Sequence, residues 1–274
     1  IVVDKPSTPA VQAASAVESK TLNVKEMSRG DLAQHLREEA AKYGVKAEDA
    51  IIEALKRDRV VMIGEYHVPG SAHNEWGAEL MPKLKGKATH LALENGVDSK
   101  LFDGQKVIFE NLPPRHQHHE YASLLNSAKR SGLEVSPVDV PENASRQMLF
   151  RNQHMADQIT KILEDPKARV LFWVGNQHLR TAPKLEDGPQ VVSMLRDRGV
   201  SVSTFYGQHD NFWREEPVRH LFTPRSPIAV PTKDAPVLRN MNWLHPDQEG
   251  HSLHKFSEMD FVLMHPEKRS PHFD

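Results

Sequence analysis

The stretch VVMIGEYHVPG, residues 60–70, carries an unbroken apolar run into a glycine and then into two ionisable side chains, Glu65 and His67. A strand with one wet face alternates apolar and polar residues. A run without alternation, rich in Val and Ile, reads instead as a strand buried on both faces. Gly64 lets the backbone turn or pass close to a neighbour at the strand exit. Glu65 and His67 stand two apart, so continued extended backbone points both to one side. A carboxylate and an imidazole held together can share a divalent metal, or act as base and orienting partner.

The same pattern recurs outward from this point. RVVMIG (59–64), THLALENG (89–96), LEVSPVDV (133–140), ARVLFWVG (168–175), VSVSTFYG (200–207) and MDFVLMHP (259–266) all read as strands. SAHNEWGAELMPKL, EYASLLNSAKRSG, ENASRQMLFRNQHMADQITKILED and GPQVVSMLRDRG read as the helices between them. Two more helices precede the first strand. One has Ser28 or Asp31 as its cap and Gly44 as its stop; the other sets Ile51, Ile52 and Leu55 on one face. Apolar strands separated by helices predict an α/β fold. Its mainly parallel sheet carries helices on both faces and an active cleft at the strand carboxyl ends. Residues 1–25 mix Pro, Ala, Ser and Val without a period and are expected to form a flexible linker or arm. Residues 26–274 are expected as a single α/β domain, with a long irregular excursion over 208–257 where Pro, His and charge accumulate.

Composition narrows the chemistry. A formal charge of −2 over 274 residues offers no electrostatic footprint for nucleic acid, and no apolar run is long enough to form a transmembrane segment. The absence of cysteine removes disulfides and thiolate chemistry, whereas 16 histidines leave imidazole available as base or ligand. No Gly-x-Ser-x-Gly elbow, phosphate loop or His-Glu-x-x-His motif is present. Because the chain begins at Ile, it is expected to be a processed chain or a piece of a larger protein.

Ionisable and amide side chains gather at the strand exits. The first presents Glu65 and His67, the second Glu94 and Asn95, the third Asp139, the fourth Asn176 and His178, and the last His265. Ligands bind beyond the carboxyl ends of parallel strands, so this convergence marks the site. His73 and Glu75, which open the helix after the first strand, are expected to support it. The histidines of RHQHHEY (115–121) are expected in a solvated loop.

VVMIGEYHVPGSAHNEW, LALENG, RNQHMADQI, LFWVGNQHL and MDFVLMHP, in that order, resemble the superfamily of erythromycin-esterase-like, ChaN-like and Tiki/TraB proteins. The resemblance spans about residues 58 to 266. It implies catalytic positions at Glu65, His67, Glu94, Arg151 and His178. Members of that superfamily include antibiotic-lactone esterases, membrane-associated metallopeptidases, a haem-binding lipoprotein and modules of large bacterial toxins and effectors. The chain is accordingly expected to be bacterial, secreted or surface-associated, with a host protein or parent polypeptide as a partner. Where the family usually carries Arg-Asp, this chain has Arg151-Asn152, which calls into question any role needing a negative charge there. Arg151 lies at the margin of an apolar helical face made by Met148, Met155, Ile159 and Ile162. From there it either snorkels to solvent or reaches the cleft to pair with Glu65 or Glu94.

Two functional readings follow. The first is a hydrolase of ester, lactone or peptide bonds, acting on a small-molecule or peptide substrate with water as nucleophile. Glu65 or His67 serves as base, Glu94 supplies a second carboxylate, and His178 stabilises the intermediate or protonates the leaving group. The cofactor is left open, with a divalent metal on Glu65, His67 and His178 as one option and haem as another. The second reading is a non-catalytic haem-, metal- or protein-binding module on the same fold.

Overall fold

The computed structural model describes residues 27–65, 72–96, 100–104, 106–141, 144, 147–181, 188–207, 224–243 and 254–266. Residues 1–26, and with them the expected arm, lie outside this set, as does His67.

Helix α1 (Arg29–Tyr43) begins where the Ser28 hydroxyl accepts the Asp31 N–H, which settles the cap on Ser28. A two-residue strand β1 (Val45–Lys46) leads into α2 (Ala47–Arg57) and then β2 (Val60–Glu65). Next come α3 (Ala72–Leu80), β3 (His90–Gly96), the short strands β4 (Phe102–Asp103) and β5 (Lys106–Val107), α4 (His119–Arg130) and β6 (Glu134–Asp139). Then follow α5 (Met148–Ile162), β7 (Val170–Gly175), α6 (Val191–Asp197), β8 (Val202–Gly207) and β9 (Ile228–Pro231). The described chain ends with α7 (Pro236–Asn240), β10 (Asn242–Trp243), β11 (His254–Lys255) and β12 (Phe261–Met264).

Eight strands form one sheet in the order β1-β9-β12-β8-β2-β7-β3-β6. The six strands β12, β8, β2, β7, β3 and β6 pair in parallel, and β9 pairs antiparallel with both β12 and β1. The alternation of side chains along each strand divides the core in two. Val60, Met62, Phe172 and Val174 pack with α1, α5, α6 and α7 on one face. Val61, Ile63, Leu171 and Trp173 pack with α2, α3 and α4 on the other. This is the expected α/β architecture, with helices on both faces.

One expectation is corrected. The span 208–257 is not irregular throughout, because Ile228–Pro231 is a full member of the sheet. Four residues closed by a proline are too few for a periodicity to show, and the partner across the sheet supplies the order.

The carboxyl edge is drawn tight by an asparagine. Asn176 Nδ2 donates to the Gly207 carbonyl at 2.9 Å, and the Gly207 N–H donates to Asn176 Oδ1 at 3.1 Å, tying the exits of β7 and β8 across β2. A Cβ on Gly64 would stand 1.9 Å from Asn176 Oδ1, and one on Gly207 would stand 1.9 Å from the Gly64 carbonyl oxygen. Both glycines are needed because backbones and an amide pass within contact here.

Candidate active site

The site is built at the exits of β3, β6 and β7. The register of β3 against β6 slips between Leu93 and Gly96, so Glu94 and Asn95 together face one residue of β6. Such a bulge turns side chains out of the ordinary alternation. Glu94 and Asn95 thereby line a cleft of about 500 Å³, together with Gly96, Pro114, Arg115, Asp139 and Arg151.

Glu94 is the hub. Its Oε1 accepts from Arg151 Nη2 at 2.6 Å and from Arg115 Nη2 at 3.2 Å, and His178 Nε2 lies 3.5 Å away. Its Oε2 accepts the Gly175 N–H at 2.8 Å. Arg151 reaches the cleft rather than snorkelling. It pairs with Asp139 through Nε at 3.1 Å as well as through Nη2, so one guanidinium bridges two strand exits. Burial alone would lower the pKa of Arg151, but the hydrogen bond to Asp139 and the charges of Glu94 and Asp139 outweigh it and raise it. The cation is permanent.

His178 is held by Asn152. Asn152 Nδ2 donates to Gln190 Oε1 at 3.0 Å and to the Pro189 carbonyl at 3.2 Å, which turns its Oδ1 toward His178 Nδ1 at 2.7 Å. The oxygen can only accept, so His178 carries its proton on Nδ1 and aims Nε2 at Glu94. The Arg151-Asn152 pair is thus split between two tasks, and orienting the imidazole needs an acceptor rather than a negative charge.

Glu65 is buried at the exit of β2, with His116 Nε2 3.8 Å from its Oε1. His116 comes from the RHQHHEY segment, and the expectation of a solvated loop is overturned there. His116 is 0% exposed and stacks on Tyr121 at 4.2 Å between ring centroids, and His118 is buried while capping α4. Arg115 carries no mark in the sequence and His116 reads as a loop residue because their partners lie far away in the chain; Pro113 and Pro114 before them are the local sign of a fixed turn. Asp139 stands at its strand exit as the sequence predicts, while its pairing with Arg151 has no local signal in the sequence.

His265 stands apart from this cluster. It hydrogen-bonds His73 at 2.8 Å between Nε2 and Nδ1, beside Trp76 and Trp173. Burial pushes its pKa down to about 4. Asn176, the other exit residue, ties strands together instead of facing the cleft.

Glu94 does not fit a metal ligand, since guanidinium and amide donors already occupy both its oxygens. Among the described residues no three His, Asp or Glu side chains are grouped to hold an ion. No described helix is long and apolar enough to cross a membrane.

No protein-family model and no curated protein matches the chain. Solved structures do. A Bacillus cereus protein superposes with a TM-score of 0.56 at 11% identity, covering 86% of this chain and 97% of its own. The type III effector HopBA1 gives 0.49 at 15% identity, over 81% and 94%. ChaN of Campylobacter jejuni, described for cofacial haem binding, gives 0.48 at 13% identity, over 81% and 92%. The likeness to the Bacillus cereus protein shows a shared fold.

Proposed function

We propose that the protein is a hydrolase of ester, lactone or peptide bonds that uses water as its nucleophile. The observation that carries this reading is the meeting of Arg151, Arg115 and His178 at one oxygen of Glu94, on the wall of an open cleft. A structural salt bridge would need neither an imidazole with an assigned tautomer nor a half-exposed second guanidinium; Arg115 is 39% exposed. In the proposed reaction, water attacks the carbonyl carbon and gives its proton to the Glu65–His67 pair. The oxyanion is received by Arg115. That proton passes from the Glu65–His67 pair to the unprotonated Nε2 of His178, which gives it to the leaving group as the bond to that group breaks. Glu94 keeps both guanidinium groups and His178 in place. The role of His67 rests on its position in the sequence.

The test is a panel of chromogenic esters, lactones and peptides, assayed with wild type and with His178→Ala. Wild-type turnover and a loss of about 10²–10⁴-fold in the variant are expected. Turnover unchanged in the variant would sink the reading. Stoichiometric haem binding without turnover of any panel member would favour the binding-module alternative. With Glu94 satisfied by arginines, turnover is expected to survive thorough chelation, and a loss restored by added zinc or manganese would require a metal in the mechanism.

A further inference from the structure

The 3-10 turn Pro114–His116 belongs to none of the motifs, yet it touches both buried glutamates. Arg115 Nη2 stands 3.2 Å from Glu94 Oε1 and 3.2 Å from the Glu94 carbonyl oxygen. The very next residue places His116 Nε2 3.8 Å from Glu65 Oε1. Successive residues of a 3-10 turn project about 120° apart, so one turn can reach two strand exits at once. Those exits belong to β2 and β3, which have β7 between them.

The turn is itself rigid. Pro113 and Pro114 restrict its entry, and the His116 N–H donates to the Pro113 carbonyl at 2.7 Å. The His116 ring lies 11° from parallel on Tyr121, whose hydroxyl donates to Asn95 Oδ1 at 2.9 Å beside Glu94. The Glu65 carboxylate is buried, and His116 is one of the groups that face it, beyond hydrogen-bond length and within the reach of a charge contact when the imidazole is protonated.

We propose that this turn is a positioning element: Arg115 grips Glu94, His116 grips Glu65, and the turn sets the separation of the two carboxylates. His116 is fully buried, so it acts through Glu65 and not on substrate. The kinetic consequence rests on the hydrolase reading; the grip does not.

The first arm is a double-variant stability cycle by chemical denaturation on Glu65→Gln and His116→Phe. Phenylalanine keeps a ring against Tyr121 and removes both nitrogens. The expected result is strong non-additivity, with the double variant more stable than His116→Phe alone. If His116→Phe fails to fold, recovery of a cooperative transition in the double variant gives the same answer. Additive effects, or no recovery, would overturn the proposal. The second arm is kinetic: His116→Phe should lower kcat about 100-fold with KM nearly unchanged, and His116→Gln, whose amide can still donate, should restore much of it. An unchanged kcat would also overturn it. Coupling in the first arm with no turnover by any form, wild type included, would support the grip and defeat the hydrolase reading.

Discussion

Asn152 shows how one side chain can decide what another is able to do. Its amide is oriented by Gln190 and Pro189, and that orientation dictates which nitrogen of His178 holds the proton. Asn152→Leu should cost about 100-fold in kcat, since Nδ1–H would lose its acceptor and the ring its bearing. Asn152→Asp should retain activity, because a carboxylate accepts the same bond; the check is kcat for both variants on any substrate the wild type turns over. Arg151 makes the opposite kind of contribution, to stability. Arg151→Met would strip a cation from Glu94 and Asp139 together. Removing one partner from a buried pair costs about 3–5 kcal/mol, read as a drop in the urea midpoint.

At the scale of elements, short pieces depend on side chains from far away. Helix α7 has five residues, too few to nucleate by itself. Its buried first-turn N–H groups at Val237 and Leu238 are accepted by Glu39 of α1 at 2.6 and 3.0 Å. Burial raises the Glu39 pKa, and these two donors oppose the rise. Glu39→Ala should destabilise the protein by about 1–2 kcal/mol and loosen α7 first, which amide hydrogen exchange would locate. This dependence also explains what could be read beforehand. Strands β2, β3, β7 and β8 announce themselves as apolar runs, and the helices between them by their period. Glu65, Glu94 and His178 were visible because strand exits have chemical meaning in a parallel sheet. Strand β9 and the Arg115-His116 turn were not, for their order comes from contacts with distant residues that no local pattern encodes.

Over the whole molecule, His265 couples β12, late in the chain, to α3 near its beginning. Its ring is buried and its pKa depressed to about 4, below the ordinary histidine value of about 6.5. Between those values the unfolded chain binds more protons than the native one. The contribution is complete above pH 6.5, declines as pH falls toward 4, and is worth about 3 kcal/mol in all. A plot of thermal midpoint against pH should therefore fall over that window, and His265→Phe should flatten it. An unchanged slope in the variant would assign the acid sensitivity elsewhere.

The two margins of the eight-stranded sheet carry a consequence for pairing with other chains. One margin ends in β1, only two residues long, and the other in β6, which contains Pro137. An open row of strand amides is a template on which another chain can polymerise. A two-residue margin offers almost nothing to copy, and a proline in the opposite one removes a donor where a newcomer would need it. Neither margin of this sheet therefore offers a long, unbroken row of amides on which a second chain could extend it.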